Sequence, residues 1–332
     1  MQMDSAGSIK QFHHHHPTCT EIPPAAAVAV GLSGDLAGRS GTPVRSHALR
    51  SFTRFDLADS PPDALHVLAA GGRSLQVLAP ARWVTLWVPL SGALDMTGPD
   101  SRWRVSPGKA LVWRDRPLRV EVRRAAGWIA VCGAPQAWEP VLQSHADGAS
   151  ALFPYHDACP RALRRLAVRA ARMARHADAG LLAGTALWAL GEELLDWQQS
   201  LRDLLARCTG RTLRRRRQTL MRLLWVRHLI EHGEDGRLDL ATLAANANYS
   251  PCHLVRSYRN VFGETPFEYA ARLRLQRAWR LVMESGMPVC EIAEMLGFES
   301  QSAFCRAFRN AFGMTTGQAR QQHRDPGSRM AA

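Results

Sequence analysis

A segment of about 25 residues that occurs twice in the last third of the chain constrains the fold more than any other feature. Leu240–Gly263 aligns with Val289–Gly313 once one residue is inserted, and the copies begin about 50 residues apart. The matched positions are Leu243 with Ile292, Ala244 with Ala293, Tyr249 with Phe298, Ser250 with Ser300, Arg256 with Arg306, Tyr258 with Phe308, Arg259 with Arg309 and Asn260 with Asn310. Both copies are therefore predicted to fold as the same structural unit.

Each copy is predicted to be a pair of helices joined by a sharp turn. In the second copy, four apolar residues recur at helical spacing, namely Val289, Ile292, Ala293 and Leu296. Gly297 can then leave the helix with a positive φ, and a new apolar stripe follows at Phe304, Phe308 and Phe312. Ser300 stands where it can cap the second helix. This pattern predicts a helix-turn-helix.

The two copies are joined by a stretch with the pattern of one long helix. Phe267–Val282 contains no glycine or proline and carries an apolar side. About 16 residues at roughly 1.5 Å each make a rod of roughly 24 Å. The second helices of the two copies are therefore expected to lie about one turn of duplex apart, roughly 34 Å, on one face of DNA.

Over about 100 residues the sequence resembles the AraC/XylS family of transcription regulators. The residues that carry the resemblance are Ser250-Pro251, His253-Leu254, Phe262-Gly263 and Thr265-Pro266 in the first copy, and Glu291-Ile292-Ala293, Gly297-Phe298, Gln301-Ser302-Ala303-Phe304, Arg306-Ala307-Phe308-Arg309 and Phe312-Gly313 in the second. Two positions depart from the family pattern. Met314-Thr315-Thr316 replaces the usual proline, which is expected to loosen the start of the last helix, and Arg309 stands where lysine is frequent.

The resemblance implies a sequence-specific regulator whose partner is double-stranded DNA. It also implies control by a small-molecule effector in an N-terminal barrel, a homodimer, and contact with RNA polymerase if the protein is an activator. A regulator that acts without a ligand is the alternative. Polar residues on the outer side of each second helix are expected to face DNA. The predicted DNA-binding residues are Ser250, Cys252, His253, Arg256 and Arg259 in the first copy and Ser300, Gln301, Ser302, Arg306 and Arg309 in the second.

The charge of the chain favours a polyanionic partner. Its 42 lysines and arginines exceed its 29 acidic residues by 13, and only Lys10 and Lys109 are lysines. From Arg211 onward, 19 arginines face 11 acidic residues, so most of the excess lies in the part that contains the repeat. Arg211–Arg217 is the densest basic run, and it is interpreted as a linker that also has the charge to touch phosphates.

The expected fold class is α+β with several domains. Residues 1–45 are predicted to be disordered, with His13–His16 as a polar tract. Short alternating runs over 46–142 predict an antiparallel β-barrel or jelly roll, which the resemblance makes cupin-like. Helices for packing or dimerisation follow over 143–210, a basic linker over 211–219, an all-α DNA-binding domain over 220–324, and a disordered tail over 325–332.

Tryptophans are the candidates for an effector pocket in the barrel. Trp83, Trp87, Trp103 and Trp113 could line its mouth and hold an apolar or aromatic molecule, or they could fill its core. The strands from Trp83 to Cys132 contain no histidine, which argues against a metal-dependent cupin enzyme. The sequence therefore predicts no metal, no cofactor and no catalytic residue.

Cysteine usage and hydropathy bear on the compartment. The seven cysteines are odd in number and form no C-x-x-C pair, which indicates a reducing environment. No apolar run approaches the ~20 residues that a membrane helix needs. The protein is expected to be cytoplasmic and to have no membrane partner.

A heptad-like stripe precedes the basic run. Its members are Leu187, Leu190, Leu194, Trp197, Leu201 and Leu204, at alternating steps of three and four. Such a seam favours packing on another helix, either in the same chain or across a dimer axis. The family resemblance favours the dimer.

One enzymatic alternative rests on Pro251-Cys252-His253. These residues resemble the active-site core of the DNA alkyl-repair methyltransferases, and a thiolate at a helix N-terminus beside a histidine is chemically reasonable. However, they also begin the second helix of the first copy, and the sequence around them does not resemble a methyltransferase domain. The regulator interpretation is therefore favoured.

Overall fold

A computed structural model describes residues 43–142, 151–175, 180–233 and 239–324, apart from the side chains of 180–183. Residues 1–42 of the segment predicted to be disordered, which include the histidine tract, lie outside the described residues. The tail 325–332 lies outside them as well. From Val44 onward the chain is already a strand, slightly earlier than predicted.

The N-terminal half is built from two β-sheets. The strands are β1 (Val44–Leu49), β2 (Arg54–Asp56), β3 (Leu65–Gly72), β4 (Leu75–Ala79), β5 (Val84–Ser91), β6 (Leu94–Thr97), β7 (Arg102–Val105), β8 (Lys109–Trp113), β9 (Leu118–Val122), β10 (Ala126–Gly133) and β11 (Tyr155–Ala158). One sheet has the order β1-β3-β10-β5-β8-β11, and the other has the order β2-β4-β9-β6-β7. Their facing sides share one apolar core, so the two sheets form a sandwich.

Of the two predicted alternatives, a barrel or a jelly roll, the β-rich region has two packed sheets and departs from an antiparallel barrel in two respects. Each sheet keeps two edge strands, so neither sheet closes on itself. In addition, β1 pairs with β3 and β2 pairs with β4 in parallel. The chain crosses from the first sheet to the second through β1 and β2, and again in the same direction through β3 and β4. The two crossings lie side by side, and the amide of Phe52 in the first donates to the carbonyl of Arg73 in the second at 3.1 Å.

The four candidate pocket tryptophans fill the core of the sandwich instead of lining an open mouth. The exposed fractions of Trp83, Trp87, Trp103 and Trp113 are 7%, 0%, 7% and 2%. Trp87 packs on Trp128 with 5.5 Å between ring centroids, and Trp103 packs on Trp113 at 4.8 Å. Strands that face a second sheet bury their indole rings against it, and Trp113 also borders a cleft between the sandwich and the helices that follow.

The helices of the described chain account for the rest of the fold. They are α1 (Pro135–Trp138), α2 (Arg161–Met173), α3 (Gly180–Trp197), α4 (Gln199–Leu205), α5 (Leu213–His232), α6 (Leu240–Asn246), α7 (Pro251–Phe262), α8 (Pro266–Glu284), α9 (Val289–Met295), α10 (Gln301–Phe312) and α11 (Thr316–Arg324), with short 3-10 turns at Leu57–Asp59 and Glu139–Val141. Within the described residues, none of these helices has the length and apolar character required to span a bilayer.

The heptad-like stripe packs inside its own chain. Leu187, Leu190 and Leu194 are fully buried in a second core, between the outer face of the six-stranded sheet and α2. The helix ends at Trp197, and the buried side chain of the next residue, Gln198, accepts from the amide of Phe153 at 2.8 Å and donates to its carbonyl at 2.9 Å. Beyond this break, Leu201 and Leu204 join the core of the sandwich. Of the two alternatives for the stripe, the structure therefore supports in-chain packing.

Shortening the stripe should destabilise the fold. We expect Leu194→Ala to lower the free energy of unfolding by roughly 2 to 5 kcal/mol, because it opens a cavity in a closed core. Urea denaturation measures this loss, and the neighbouring exposed variant Asp196→Ala should stay within about 0.5 kcal/mol of the parent. A Leu194→Ala protein of unchanged stability and altered mass in sedimentation would instead place this stripe at a dimer interface.

The helix α5 begins at Leu213, seven residues earlier than the sequence predicted. Thr212 caps it by accepting from the amide of Arg215 at 3.3 Å. The basic run Arg214–Arg217 is therefore the first part of a helix and not a linker.

The helix α5 also joins the sandwich to the following helices. The ring of Trp225 meets Trp113 edge-on at 5.4 Å, and the guanidinium of Arg116 lies 3.9 Å from the Trp225 ring. One turn later, the ring of His228 packs edge-on against Trp103 at 4.5 Å, and its Nε2 lies 2.9 Å from the hydroxyl of Ser101. The sandwich and α5 therefore share one continuous core.

Three histidines in this contact are held neutral by burial. Burial, with the nearby positive charge of Lys109 adding to the effect, lowers the pKa of His156 to about 4. Burial lowers the pKa of His232 to about 4 as well, with Arg277 and Lys109 adding to the effect. Burial also lowers the pKa of His228 well below its ordinary value.

The stability of the protein should consequently fall in acid. A histidine whose pKa is lower in the folded state contributes full stability above its ordinary pKa of 6.5, and this contribution is lost as the pH falls towards about 4. At pH 5 each of His156 and His232 should cost about 2 kcal/mol, as an order of magnitude. Urea denaturation at pH values from about 7.5 to about 5, on either side of the ordinary histidine pKa, measures how the free energy of unfolding changes with pH.

Two variants identify the groups responsible. His156→Gln should flatten the dependence of stability on pH, because its amide does not titrate. The exposed His323→Gln should leave the slope unchanged. Equal slopes in the parent and in His156→Gln would show that this ring does not cause the acid sensitivity.

Candidate DNA-binding interface

The helices α6 and α7 form the first unit. Asp239 caps α6 by accepting from the amides of Ala241 and Thr242, both at 3.0 Å. The turn that follows passes through Asn248 with φ of 53°, and the amide of Tyr249 bonds back to the carbonyl of Ala244 at 2.9 Å. This backbone hydrogen bond closes the turn between α6 and α7.

The second unit, α9 and α10, repeats this geometry. Gly297 has φ of 70°, and the amide of Phe298 bonds back to the carbonyl of Ala293 at 2.9 Å. Asn248 and Gly297 therefore occupy equivalent positions. The sequence pattern singles out only the glycine, although asparagine is the other residue that tolerates left-handed backbone. Both units end alike, since Gly263 and Gly313 have φ of 81° and 70°.

The two second helices bury equivalent sides. Leu254 and Tyr258 of α7 are 0% exposed, as are Phe304 and Phe308 of α10. The polar residues predicted to face DNA lie on the opposite sides and are exposed. They are Cys252, His253 and Arg256 on α7, and Gln301, Ser302 and Arg306 on α10. The structure thus brings together, on each helix, the residues that the sequence predicts there.

The remaining predicted residues are partly engaged in structural roles. Ser250 accepts from the amide of His253 at 3.4 Å, and Ser300 accepts from that of Ala303 at 3.1 Å, so both hydroxyls are helix caps. Arg259 forms an ion pair of 3.0 Å with Glu268. Within the described chain, Arg256, Arg306 and Arg309 form no ion pair. The units therefore differ in their outer arginine, since Arg309 is unpaired and Arg259 is not.

The helix α8 spaces the two units. It has 19 residues, three more than predicted, and at roughly 1.5 Å each it is roughly 28 Å long. Its first half, with Tyr269, belongs to the core shared with the sandwich. Its second half, with Ala278 and Val282, belongs to a separate core around α10. Trp279 stacks on Phe308 there, with 5.9 Å between ring centroids.

The helix α11 begins with the same capping hydrogen bonds as α8. The start of the last helix is therefore not loosened, contrary to the expectation. At the start of α8, the side chain of Thr265 accepts from the amide of Glu268 at 3.2 Å, and that of Glu268 accepts from the amide of Thr265 at 2.7 Å. Thr315 and Gln318 exchange the same two bonds at 3.2 Å and 2.9 Å. A capping box replaces the missing proline.

The candidate nucleophile Cys252 is exposed, and the ring of the neighbouring His253 makes its contacts with other residues. The Nε2 of His253 lies 3.4 Å from the hydroxyl of Ser257, and its ring meets Tyr249 edge-on at 4.6 Å. His253 is thereby held towards the body of α7. In the described part of the chain, no group of three or more His, Cys, Asp and Glu side chains could hold a metal ion.

Comparison with known proteins agrees with this geometry. A helix-turn-helix domain family matches residues 243–322. The chain is 33% identical over 99 residues to the probable transcription factor PqrA of Proteus vulgaris, which covers 30% of this chain and 80% of PqrA. It is 30% identical over 95 residues to the probable transcriptional regulator LumQ of Photobacterium leiognathi, which covers 29% of this chain. The match spans only 38% of the length of LumQ.

The chain is also similar to a protein of solved structure. It is a transcriptional regulator from Chromobacterium violaceum with an AraC-type DNA-binding domain, 28% identical, and the match covers 32% of this chain and 95% of that one with a TM-score of 0.29. From the matched domain and the relative PqrA, the class of protein follows: the chain carries a transcription-regulator helix-turn-helix domain. It belongs to the AraC/XylS family.

The two capping boxes can be compared directly. We expect Thr265→Ala and Thr315→Ala each to lower the free energy of unfolding by about 1 kcal/mol, because each leaves a helix amide without its acceptor. Thermal denaturation measures the loss, and Thr315→Ser should retain most of the stability. If Thr315→Ala matched the parent while Thr265→Ala did not, the second box would contribute nothing in solution.

Proposed function

We propose that the protein is a transcription regulator that reads two neighbouring sites on one face of duplex DNA with α7 and α10. The observation that carries this proposal is the equivalence of the two helices. Each buries one apolar side and exposes an arginine, Arg256 or Arg306, that no carboxylate in the described chain neutralises. A helix with this geometry fits the width of the major groove.

The exposed residues suit the reading of base edges. An arginine can grip guanine through two hydrogen bonds, and a glutamine such as Gln301 can do the same for adenine. Each such pairing discriminates against a wrong base by roughly 1 to 3 kcal/mol. Cys252, His253 and Ser302 complete the two faces with small or polar groups. The two units therefore read different sequences, since their polar residues differ.

The start of α5 suits contact with phosphates. Arg214, Arg215 and Arg216 are exposed in its first turns. The helix dipole disfavours positive charge at this end, so the run does not stabilise the isolated helix. A polyanion beside it would offset that cost.

The finer roles of the protein rest on the family resemblance. They are a cupin-like sensor for the sandwich, control by a small effector, a homodimer, contact with RNA polymerase during activation, and a cytoplasmic location. An enzymatic role is not proposed, because His253 is directed to Ser257 instead of to Cys252.

The proposed roles of the base-reading and the phosphate-contacting arginines can be tested separately. We expect Arg256→Ala and Arg306→Ala each to relax base preference in one half of the binding site only, with a loss of roughly 1 to 3 kcal/mol at the contacted base pair. Arg214→Ala and Arg215→Ala should weaken all sequences alike and reduce the salt slope by about 1 each. Binding to a base-by-base scanned operator at two salt concentrations separates these effects.

The control is Arg119→Ala, an exposed arginine on the sandwich. It should alter neither the base preference nor the salt slope. If Arg256→Ala and Arg306→Ala both left every base preference intact, these faces would not be the base-reading surfaces.

A further inference from the structure

A cleft of about 660 Å³ lies where the sandwich meets the helices α4, α5 and α8, and we call it the junction cleft. Its volume is within the range of small-molecule sites. The sandwich supplies Lys109 and Trp113, α4 supplies Leu201, α5 supplies His232, and α8 supplies Arg277 and Arg280. The cleft is therefore built jointly by both halves of the chain.

The cations of the junction cleft exceed its anions. Lys109, Arg277 and Arg280 form no ion pair with any carboxylate in the described residues, and Arg277 donates only to the carbonyl of Glu231 at 2.6 Å. The two acidic side chains are already bonded. Asp157 accepts from the hydroxyl of Tyr155 at 3.0 Å, and Glu231 accepts from Tyr269 and from Arg227. Arg227 and Glu231 offset each other, and Asp157 keeps its charge, so the cleft has a net excess of two positive charges.

The remainder of the lining combines apolar and hydrogen-bonding groups. Trp113, Leu201 and Leu224 are buried and form an apolar floor. In the wall, the Nε2 atoms of His156 and His232 are buried and have no hydrogen-bond partner among the described residues. The cleft therefore offers an apolar surface beside positive charges, with unused hydrogen-bonding capacity in its wall.

We propose that the junction cleft binds a small organic anion, whose carboxylate lies between Lys109 and Arg280 and whose hydrocarbon part lies over Trp113 and the leucines. This site replaces the pocket expected inside the sandwich, which is filled by tryptophan. The anion is the effector of the regulator, and in this respect the inference rests on the proposed function.

The position of the cations explains how such a ligand acts on DNA binding. Lys109 belongs to β8 of the sandwich, whereas Arg277 and Arg280 belong to the half of α8 that enters the separate core of the second unit. An anion between them bridges the sandwich and that half of α8. Binding therefore stabilises one placement of α10 relative to α7.

The test measures ligand binding without DNA. Tryptophan fluorescence and calorimetry are recorded for the full chain with hexanoate, phenylacetate and indoleacetate, each beside its uncharged primary amide, and with inorganic phosphate. We expect at least one carboxylate to bind and its amide to bind at least tenfold more weakly. Lys109→Met and Arg280→Met should each weaken the carboxylate about tenfold, because each removes one charge from an exposed position without disturbing the core. The matched control Arg119→Met should bind like the parent.

Three results would overturn the proposal: none of the carboxylates binds, the amide binds as tightly as its carboxylate, or the cleft variants bind like Arg119→Met. Binding of phosphate alone would also count against it, because the apolar floor would then contribute nothing. A mobility-shift assay of the unliganded protein is the independent check on the proposed function. Loss of ligand binding with intact DNA binding rejects only the cleft, whereas ligand binding without DNA binding rejects only the regulator.

Discussion

The contact of α5 with the sandwich is the interaction on which the rest of the structure depends. Trp113 and Trp103 on the sheets meet Trp225 and His228 on the helix, and Arg116 covers the Trp225 ring at 3.9 Å. Aromatic rings bury large areas and have preferred packing angles, so a few of them define the position of a helix well. Because α5 also packs on the first unit, the sandwich and that unit share one core.

The two units that are equivalent in sequence are therefore unequal in the molecule. The apolar side of α7 continues into the core of the sandwich, whereas that of α10 packs into a separate core with the second half of α8. The first unit is thus fixed to the sandwich through a shared core, whereas the second unit is held mainly by the second half of α8. Under the proposed function, the two DNA-reading helices therefore differ in how directly the sandwich can act on them.

Charge is distributed in line with this organisation. The exposed sides of α7 and α10 and the start of α5 carry arginines, where water and phosphate can solvate them. At the junction the ionisable rings of His156, His228 and His232 are neutral, because burial lowers the pKa of each. Neutral imidazoles beside Lys109 and Arg277 avoid repulsion between positive charges, so acid is expected to weaken the contact. The same rings cannot be exchanged for charged groups without loss of the contact.

The sequence by itself determined the features that depend on neighbours along the chain. The helices of both units, the left-handed turn at Gly297, the cap at Ser300 and the exposure of Arg256 and Arg306 follow from helical periodicity and from bonds between residues three or four apart. Only the tertiary structure decided which apolar surfaces meet. The stripe through Leu194 packs on a sheet of its own chain, the tryptophans fill a two-sheet sandwich, and the basic run opens a helix. Such contacts join segments far apart in sequence, and an apolar stripe specifies burial without specifying its partner.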